Sequence, residues 1–279
     1  MPKKEKTKSR TRRTPKYTAK TADKYELYQL SVQSVEPDIE FIRRVYKKQN
    51  GRPARHFRED FSGTGLLTCE WIKKGPKYTA EAFDIDPEPI AWGCARHFAE
   101  LGENAERAVI HTADVRESSD KAPDVRCAQN FSYWIFKTRA EMIDYFKRVR
   151  EDLAEDGVFV LDAHGGPESI EEREEETLIE AGFTYVWDQH WYSPVTNEAK
   201  LRIHFRFKDG SELKSAFTYD WRVWSIPEIR DILLEAGFSR VDVYWEGTDD
   251  DGESGNGIYR KTRYGTNDPA WVTYIVGIK

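Results

Sequence analysis

Two neighbouring carboxylates, Glu59 and Asp60, stand just ahead of a turn formed by Gly63, Thr64 and Gly65. Glycines there let backbone approach a bound molecule closely, and the helix-like run that follows points its N-terminus at the same spot. A lone Gly-x-Gly is equally a plain tight turn, so its meaning rests on what comes after it. About 20 residues on, Asp84 ends a short apolar run, where a carboxylate can accept both hydroxyls of a ribose. Asp114 and Val115 end a third run, an acid for an exocyclic amine beside an apolar side chain that covers an adenine. Each acid alone is an ordinary strand-end residue. Three at successive strand ends are what a nucleoside-binding cleft requires.

Positioning those ends takes strands that alternate with helices. "RHFREDF", "TAEAFDID", "AVIHTADV", "VRCAQNFSY" and "VFVLDAHGG" read as short strands. Between them lie helical patterns such as "GLLTCEWIKKG" and "TRAEMIDYFKRVREDLAEDG", each stopped by a glycine. The expectation is an α/β fold with a doubly wound, mostly parallel, Rossmann-like sheet. Two helices precede it, "DKYELYQLSV" and "EPDIEFIRRVYKKQ". Residues 184–224 break the rhythm. "KLRIHFRFKDGSELKSAFTYDWRVW" alternates residue by residue around a Lys208–Ser211 turn, which predicts an inserted antiparallel β subdomain. "PEIRDILLEAGFSRVDVYWE" returns to helix and strand, 249–257 reads as a mobile acidic loop, and "WVTYIVGIK" is a last strand.

Composition narrows the function classes. Of 279 residues 39% are hydrophobic and 33% charged, and no apolar run is long enough to span a membrane. The N-terminus lacks the apolar stretch of a secretory signal, so a cytoplasmic location is expected. Cys69, Cys94 and Cys127 are unevenly spaced, which fits reduced thiols and implies no metal site. The net charge of −6 hides a basic arm: residues 1–24 hold ten Lys or Arg against Glu5 and Asp23. Residues 1–24 are expected to be a solvated, disordered arm ahead of one domain spanning 25–279, because no aromatics interleave "KKEKTKSRTRR".

The order of glycine loop, ribose acid, adenine acid and a polar "QNFSY" after the fourth strand resembles class I S-adenosylmethionine-dependent methyltransferases, of small-molecule type. The resemblance covers about residues 25–165, and "PEIRDILLEAGFSRVDVYWEG" is similar to the family's closing helix and strand. It implies S-adenosylmethionine as cofactor. Glu59 would then face the methionine amino group, with Gly63, Thr64 and Gly65 against the methionine part. Asp84 would take the ribose, Ile85 the adenine face, Asp114 and Val115 the adenine edge. Asn130 would lie by the methionine end, and Tyr25 and Tyr28 would close over the cofactor. The family's first glycine is replaced here by Phe61, and Asp60 adds a second acid, leaving open which of the two acids faces the cofactor. A pyrophosphate is disfavoured, since the loop has no basic residue and its acids would repel one, whereas they suit a cation.

Methyl transfer from a sulfonium is an in-line displacement in which the protein chiefly positions and desolvates the acceptor. The aromatic-rich insertion is expected to act as a lid over that acceptor. His164, after the fifth strand, and Tyr133 are the candidate catalytic groups. Gln189, Trp191, Tyr219 and Arg222 are the candidate acceptor contacts. A small-molecule acceptor methylated on nitrogen or oxygen is the primary reading. Two alternatives stay open: a nucleic-acid base approached with the basic arm, and a protein that binds the cofactor without turnover.

Overall fold

The computed structural model describes residues 16–249 and 255–279; the first fifteen residues of the basic arm and most of the acidic 249–257 stretch lie outside the described residues. Helices α1 (Lys24–Val32) and α2 (Val35–Asn50) lead into β1 (His56–Asp60). The chain then alternates through α3 (Leu66–Lys73), β2 (Thr79–Asp84), α4 (Pro87–Gly93), β3 (Ala108–Thr112), β4 (Val125–Ala128), α5 (Arg139–Asp152) and β5 (Val158–Gly165). Four antiparallel strands follow: β6 (Arg173–Ile179), β7 (Phe183–Tyr192), β8 (Glu198–Phe207) and β9 (Glu212–Arg222). Helix α6 (Ile226–Glu235) and strands β10 (Arg240–Thr248), β11 (Gly255–Thr262) and β12 (Trp271–Ile278) complete the chain.

The main sheet has the order β11-β10-β12-β5-β4-β1-β2-β3. Strands β3, β2, β1, β4 and β5 pair parallel to one another, while β12 runs antiparallel to both β5 and β10. The strand order reverses between β1 and β4, so the carboxyl ends of those strands form the crevice in which such sheets bind ligands. One face packs on α2 and α3 through Ile42, Phe57, Trp71 and Val160. The other packs on α5 and α6 through Phe146, Phe159, Leu161 and Ile232. Among the described residues no helix is long and apolar enough to cross a membrane.

The inserted sheet begins at Arg173, one strand earlier than the 184 boundary. Strand β6, "REEETLI", is an edge strand whose Glu174 and Glu176 face solvent, so it lacks the apolar alternation that marks the other three. On its inner side the sheet contributes Leu201 and Trp221 to the core around Trp134, Tyr145 and Trp224. A separate cluster joins it to the N-terminal segment, where Tyr17 meets Phe183 edge-on and lies buried with Leu27 and Phe205. The Ala19 amide also donates to Ser211 Oγ. Residues 16–24, expected to belong to a disordered arm, are therefore part of the packed structure, because Tyr17 supplies an aromatic anchor that a count of charges does not register.

Candidate active site

The turn after β1 is built for close approach. Gly63 adopts φ +53°, and a side chain placed there would meet nothing within 4 Å, so its face is open. Its amide donates to Asp84 Oδ2 at 2.7 Å, which draws the first two strand ends together. Gly93 closes the wall from behind: a Cβ there would lie 2.0 Å from the Thr64 carbonyl oxygen, so only glycine lets α4 rest on this loop. Ser62 Oγ is buried without a hydrogen-bond partner.

The two acids ahead of the loop have different tasks. Asp60 is wholly buried and accepts from Arg58 Nε at 2.8 Å, Arg126 Nε at 2.7 Å and the Tyr145 hydroxyl at 2.7 Å. The same guanidiniums reach Asp152 and the Val115 carbonyl, forming a charge-balanced network of two arginines and two aspartates. Asp60 is thereby consumed by the fold. Glu59 lies on the opposite face of β1, where only Oε2 is engaged, by the Thr68 amide at 2.9 Å and the Thr68 hydroxyl at 2.6 Å. Burial pushes its carboxyl up to about 8, despite the bonds from Thr68, and the nearby Asp84 and Asp60 add to that. Its Oε1 has no hydrogen-bond partner and no counter-charge among the described residues.

Around the rest of the crevice the positions are mixed. Asp84 is partly buried, its acidity weakened by that burial, and it also accepts from the Asp86 amide at 2.9 Å. Ile85 is 72% exposed, an apolar side chain offered to the space beside Asp84. Asp114 is already clasped by Arg116, whose Nε and second guanidinium nitrogen donate at 2.9 and 2.6 Å and hold the carboxyl below its usual range. Val115 turns its side chain into the core and does not cover a ring.

Three of the five non-glycine residues with positive φ among the described residues flank this crevice: Phe61 at 56°, Asn130 at 56° and Phe131 at 58°. Left-handed backbone at bulky residues is strained and persists only where surroundings impose it. Phe61 stands in the place of the family's first glycine, and its ring packs against Phe136 and Tyr145. Asn130 and Phe131 are pinned by Asp162, whose carboxylate accepts both their amides at 2.7 and 2.9 Å. Burial pushes the Asp162 carboxyl up to about 7.

Helix α1 lies over the glycine loop. Gln29 donates to Thr64 Oγ1 at 2.9 Å, and the Tyr25 hydroxyl donates to Glu88 on α4 at 2.9 Å. Tyr25 and Tyr28 both pack on Phe217 of β9. The expected closing tyrosines thus sit at the seam between glycine loop and inserted sheet.

Beyond Asn130 a cavity of about 570 Å³ opens between the ends of β4 and β5 and the inserted sheet, lined by His164, Trp187 and Gln189 among others. His164 Nε2 is buried and unpartnered, and burial lowers its imidazole to about 4, so the ring is neutral at pH 7. Gln189 spends its amide on the carbonyls of Glu168 and Glu171, both at 2.9 Å. Tyr219 packs on Trp187 and Trp221 behind the cavity wall and does not itself line it.

The other three candidates are placed elsewhere. Tyr133 is fully buried with its hydroxyl held by the Asp162 carbonyl at 2.8 Å, a supporting role that leaves no proton to exchange. Trp191 is 39% exposed and lies outside the cavity lining, because the β7–β8 register shifts just before it. Arg222 stacks on Trp224 and reaches the Lys137 carbonyl and Glu228, so it fastens the insertion to α6 instead of lining the cavity. Asp162, Gly93 and Gln29 matter more than the sequence pattern suggested. Asp162 had a visible signal, a carboxylate inside the apolar strand "VFVLDAHGG". Gln29 had none.

Among the described residues two groups of possible metal ligands occur, Glu81–His111–Asp120 and Glu174–Asp188–His204. Glu81 is satisfied by His56 and two backbone amides, and His204 uses both ring nitrogens on Asp188 and the Ser215 amide.

The sequence itself matches no protein-family model and no curated protein. The fold, however, has close counterparts among solved structures. CalS10, an amino pentose methyltransferase from Micromonospora echinaspora, superposes with a TM-score of 0.65 at 16% identity, covering 92% of this chain and 97% of that one. DesVI of Streptomyces venezuelae gives 0.64 at 16% identity over 91% and 96% of the two chains. An S-adenosylmethionine-dependent methyltransferase from Clostridium acetobutylicum gives 0.63 at 14% identity over 91% and 96%. The chain has the class I S-adenosylmethionine-dependent methyltransferase fold, with the antiparallel insertion included.

Proposed function

We propose that this protein is an S-adenosylmethionine-dependent methyltransferase acting on a small-molecule acceptor. The observation that carries the reading is the glycine loop: an open backbone face at Gly63, an orphaned Ser62 hydroxyl, and a Glu59 oxygen without counter-charge. These groups fit the amino-acid end of the cofactor, hydroxyl to carboxylate and carboxylate to ammonium. Asp84 would hold the ribose and Ile85 one adenine face. Bound there, the cofactor supplies an activated methyl group on a sulfonium. The chain's own part is to orient the acceptor in the cavity beyond Asn130, exclude water, and give the acceptor proton a place to go. The inserted sheet and α1 would together form the cover. CalS10 is described with S-adenosylmethionine bound, which supports the same cofactor here.

A nucleic-acid acceptor is disfavoured by the many carboxylates around that cavity, which repel phosphates. Calorimetry tests the reading: S-adenosylmethionine and S-adenosylhomocysteine should bind at micromolar concentration or below, and NAD at least tenfold more weakly. Tighter binding of NAD than of either would overturn it.

A further inference from the structure

We infer, on the methyltransferase reading, that Arg58 and Arg126 are positioning residues for the adenine side of the cofactor site. They hold the loop after Asp114 and the strand end before Asp84, so recognition of the base depends on a buried ion network that no ligand touches. The two stand side by side on β1 and β4, wholly closed to solvent. Burying guanidiniums is costly, and apolar residues of similar size commonly join strands and helices at least as well. The direction of their donors shows what the charges achieve.

Only part of that bonding runs between charges. Arg58 Nη2 donates to the Val115 carbonyl at 2.7 Å, and Nη1 to the Glu117 carbonyl at 2.8 Å and to Ser119 Oγ at 3.0 Å. Arg126 Nη2 donates to the same Val115 carbonyl. Both lone pairs of that oxygen are thus taken by charged donors, which make the stronger hydrogen bonds. Asp152, paired with both arginines, also accepts the Ser119 amide at 2.7 Å and its hydroxyl at 2.8 Å. Residues 115–119 belong to no helix or strand, yet Val115, Glu117 and Ser119 are all fixed from beneath. Asp114 opens this loop. Arg116 donates twice to its Oδ1 and once to Oδ2, which leaves one lone pair on Oδ2 for an exocyclic amine. A base with an oxygen in that place sets lone pair against lone pair.

The second attachment is to β2. The Arg58 guanidinium lies 3.5 Å from the centre of the Phe83 ring. Phe83 precedes Asp84; its carbonyl accepts the Ser62 amide at 2.9 Å, and the Asp84 carbonyl accepts the Ala113 amide at 2.9 Å. One arginine therefore spaces the ribose acid against the adenine acid. The amino-acid end is held by other means, Glu59 by Thr68 and Asn130 by Asp162, neither of which is bonded to the network.

The test is calorimetry on the full chain with S-adenosylhomocysteine and S-inosylhomocysteine, which differ at the base alone. The wild type should favour the adenine ligand at least tenfold. Arg58→Lys and Arg126→Lys each keep a charge beside Asp60 but lose the planar fork that reaches the loop, and Ser119→Ala removes one anchor with no change of charge. The preference should fall at least threefold in each lysine variant and at least twofold in Ser119→Ala. A variant that merely weakens the fold lowers both affinities alike and leaves their ratio untouched. An unchanged ratio in any variant that keeps the wild-type circular dichroism overturns the inference, as does a wild type without preference. If neither lysine variant folds, the ratio in Ser119→Ala decides. Failure of S-adenosylhomocysteine to bind the wild type at all overturns the methyltransferase reading instead.

Discussion

Replacing Glu59 by Gln should make the protein more stable and a poorer cofactor binder at once. In the folded chain the carboxyl is pushed from an ordinary 4.5 up to about 8. Between those values the folded state holds a proton that the unfolded state has lost, so stability falls as pH rises from 4.5 through 8. At pH 7 the difference costs folding about 3 kcal/mol, at 1.36 kcal/mol for each tenfold. Glutamine has no charge to desolvate and can still accept from the Thr68 amide and hydroxyl. Allowing about 1 kcal/mol for weaker hydrogen bonds leaves a gain of about 2 kcal/mol, or roughly 4–8 °C in Tm. Cofactor binding should weaken by about 1.5–3 kcal/mol, the scale of a hydrogen bond to a charged group. Calorimetry in buffers of different ionisation enthalpy adds a readout independent of affinity. At pH 7 the wild type should release close to one proton as Glu59 ionises against the incoming ammonium, and Glu59→Gln close to none. A variant less stable than wild type, or wild-type binding without proton release, would refute the reasoning.

Asp84→Ala should lower cofactor affinity by roughly 1–3 kcal/mol with unchanged secondary structure, measured by calorimetry and circular dichroism; undiminished affinity would remove Asp84 from the site. At Phe61, which loses its ring packing in either variant, Gly should be less destabilising than Ala by about 1 kcal/mol in denaturant unfolding, because φ 56° strains only the residue with a Cβ. The reverse order would mean the left-handed backbone is relaxed in solution. The His164 imidazole should titrate near pH 4 by NMR, and since the unfolded ring titrates near 6.5 the protein should lose stability as pH falls from 6.5 to 4. A midpoint near 6.5 would show a solvated ring.

The main sheet was legible because each β-α unit carries its own punctuation: apolar run, strand-end acid, glycine stop. Glycines and acids at 63, 65, 84 and 114 follow directly from that pattern, and the structure brings their strands side by side. What could not be read was which face a residue takes when both neighbours are polar. Glu59 and Asp60 differ only in pointing to opposite sides of β1, and Arg58 on the same strand together with Arg126 on β4 decides the matter for Asp60. Arg222 looked like an acceptor contact because it ends an alternating strand. Its partner Glu228 belongs to the next helix, whose approach no local pattern specifies. Strand β6 was invisible for the opposite reason, since an edge strand rich in glutamate carries no buried face to betray it.

Helix α1 touches three bodies with one short surface: the glycine loop through Gln29, α4 through Tyr25, and the inserted sheet through Phe217. On the proposed reading, the two compartments of the crevice therefore share a door. Swinging α1 aside for the larger guest also loosens the wall around the smaller one. One movement therefore opens or shuts both compartments together, because the nine residues of α1 cannot leave one neighbour without leaving the others.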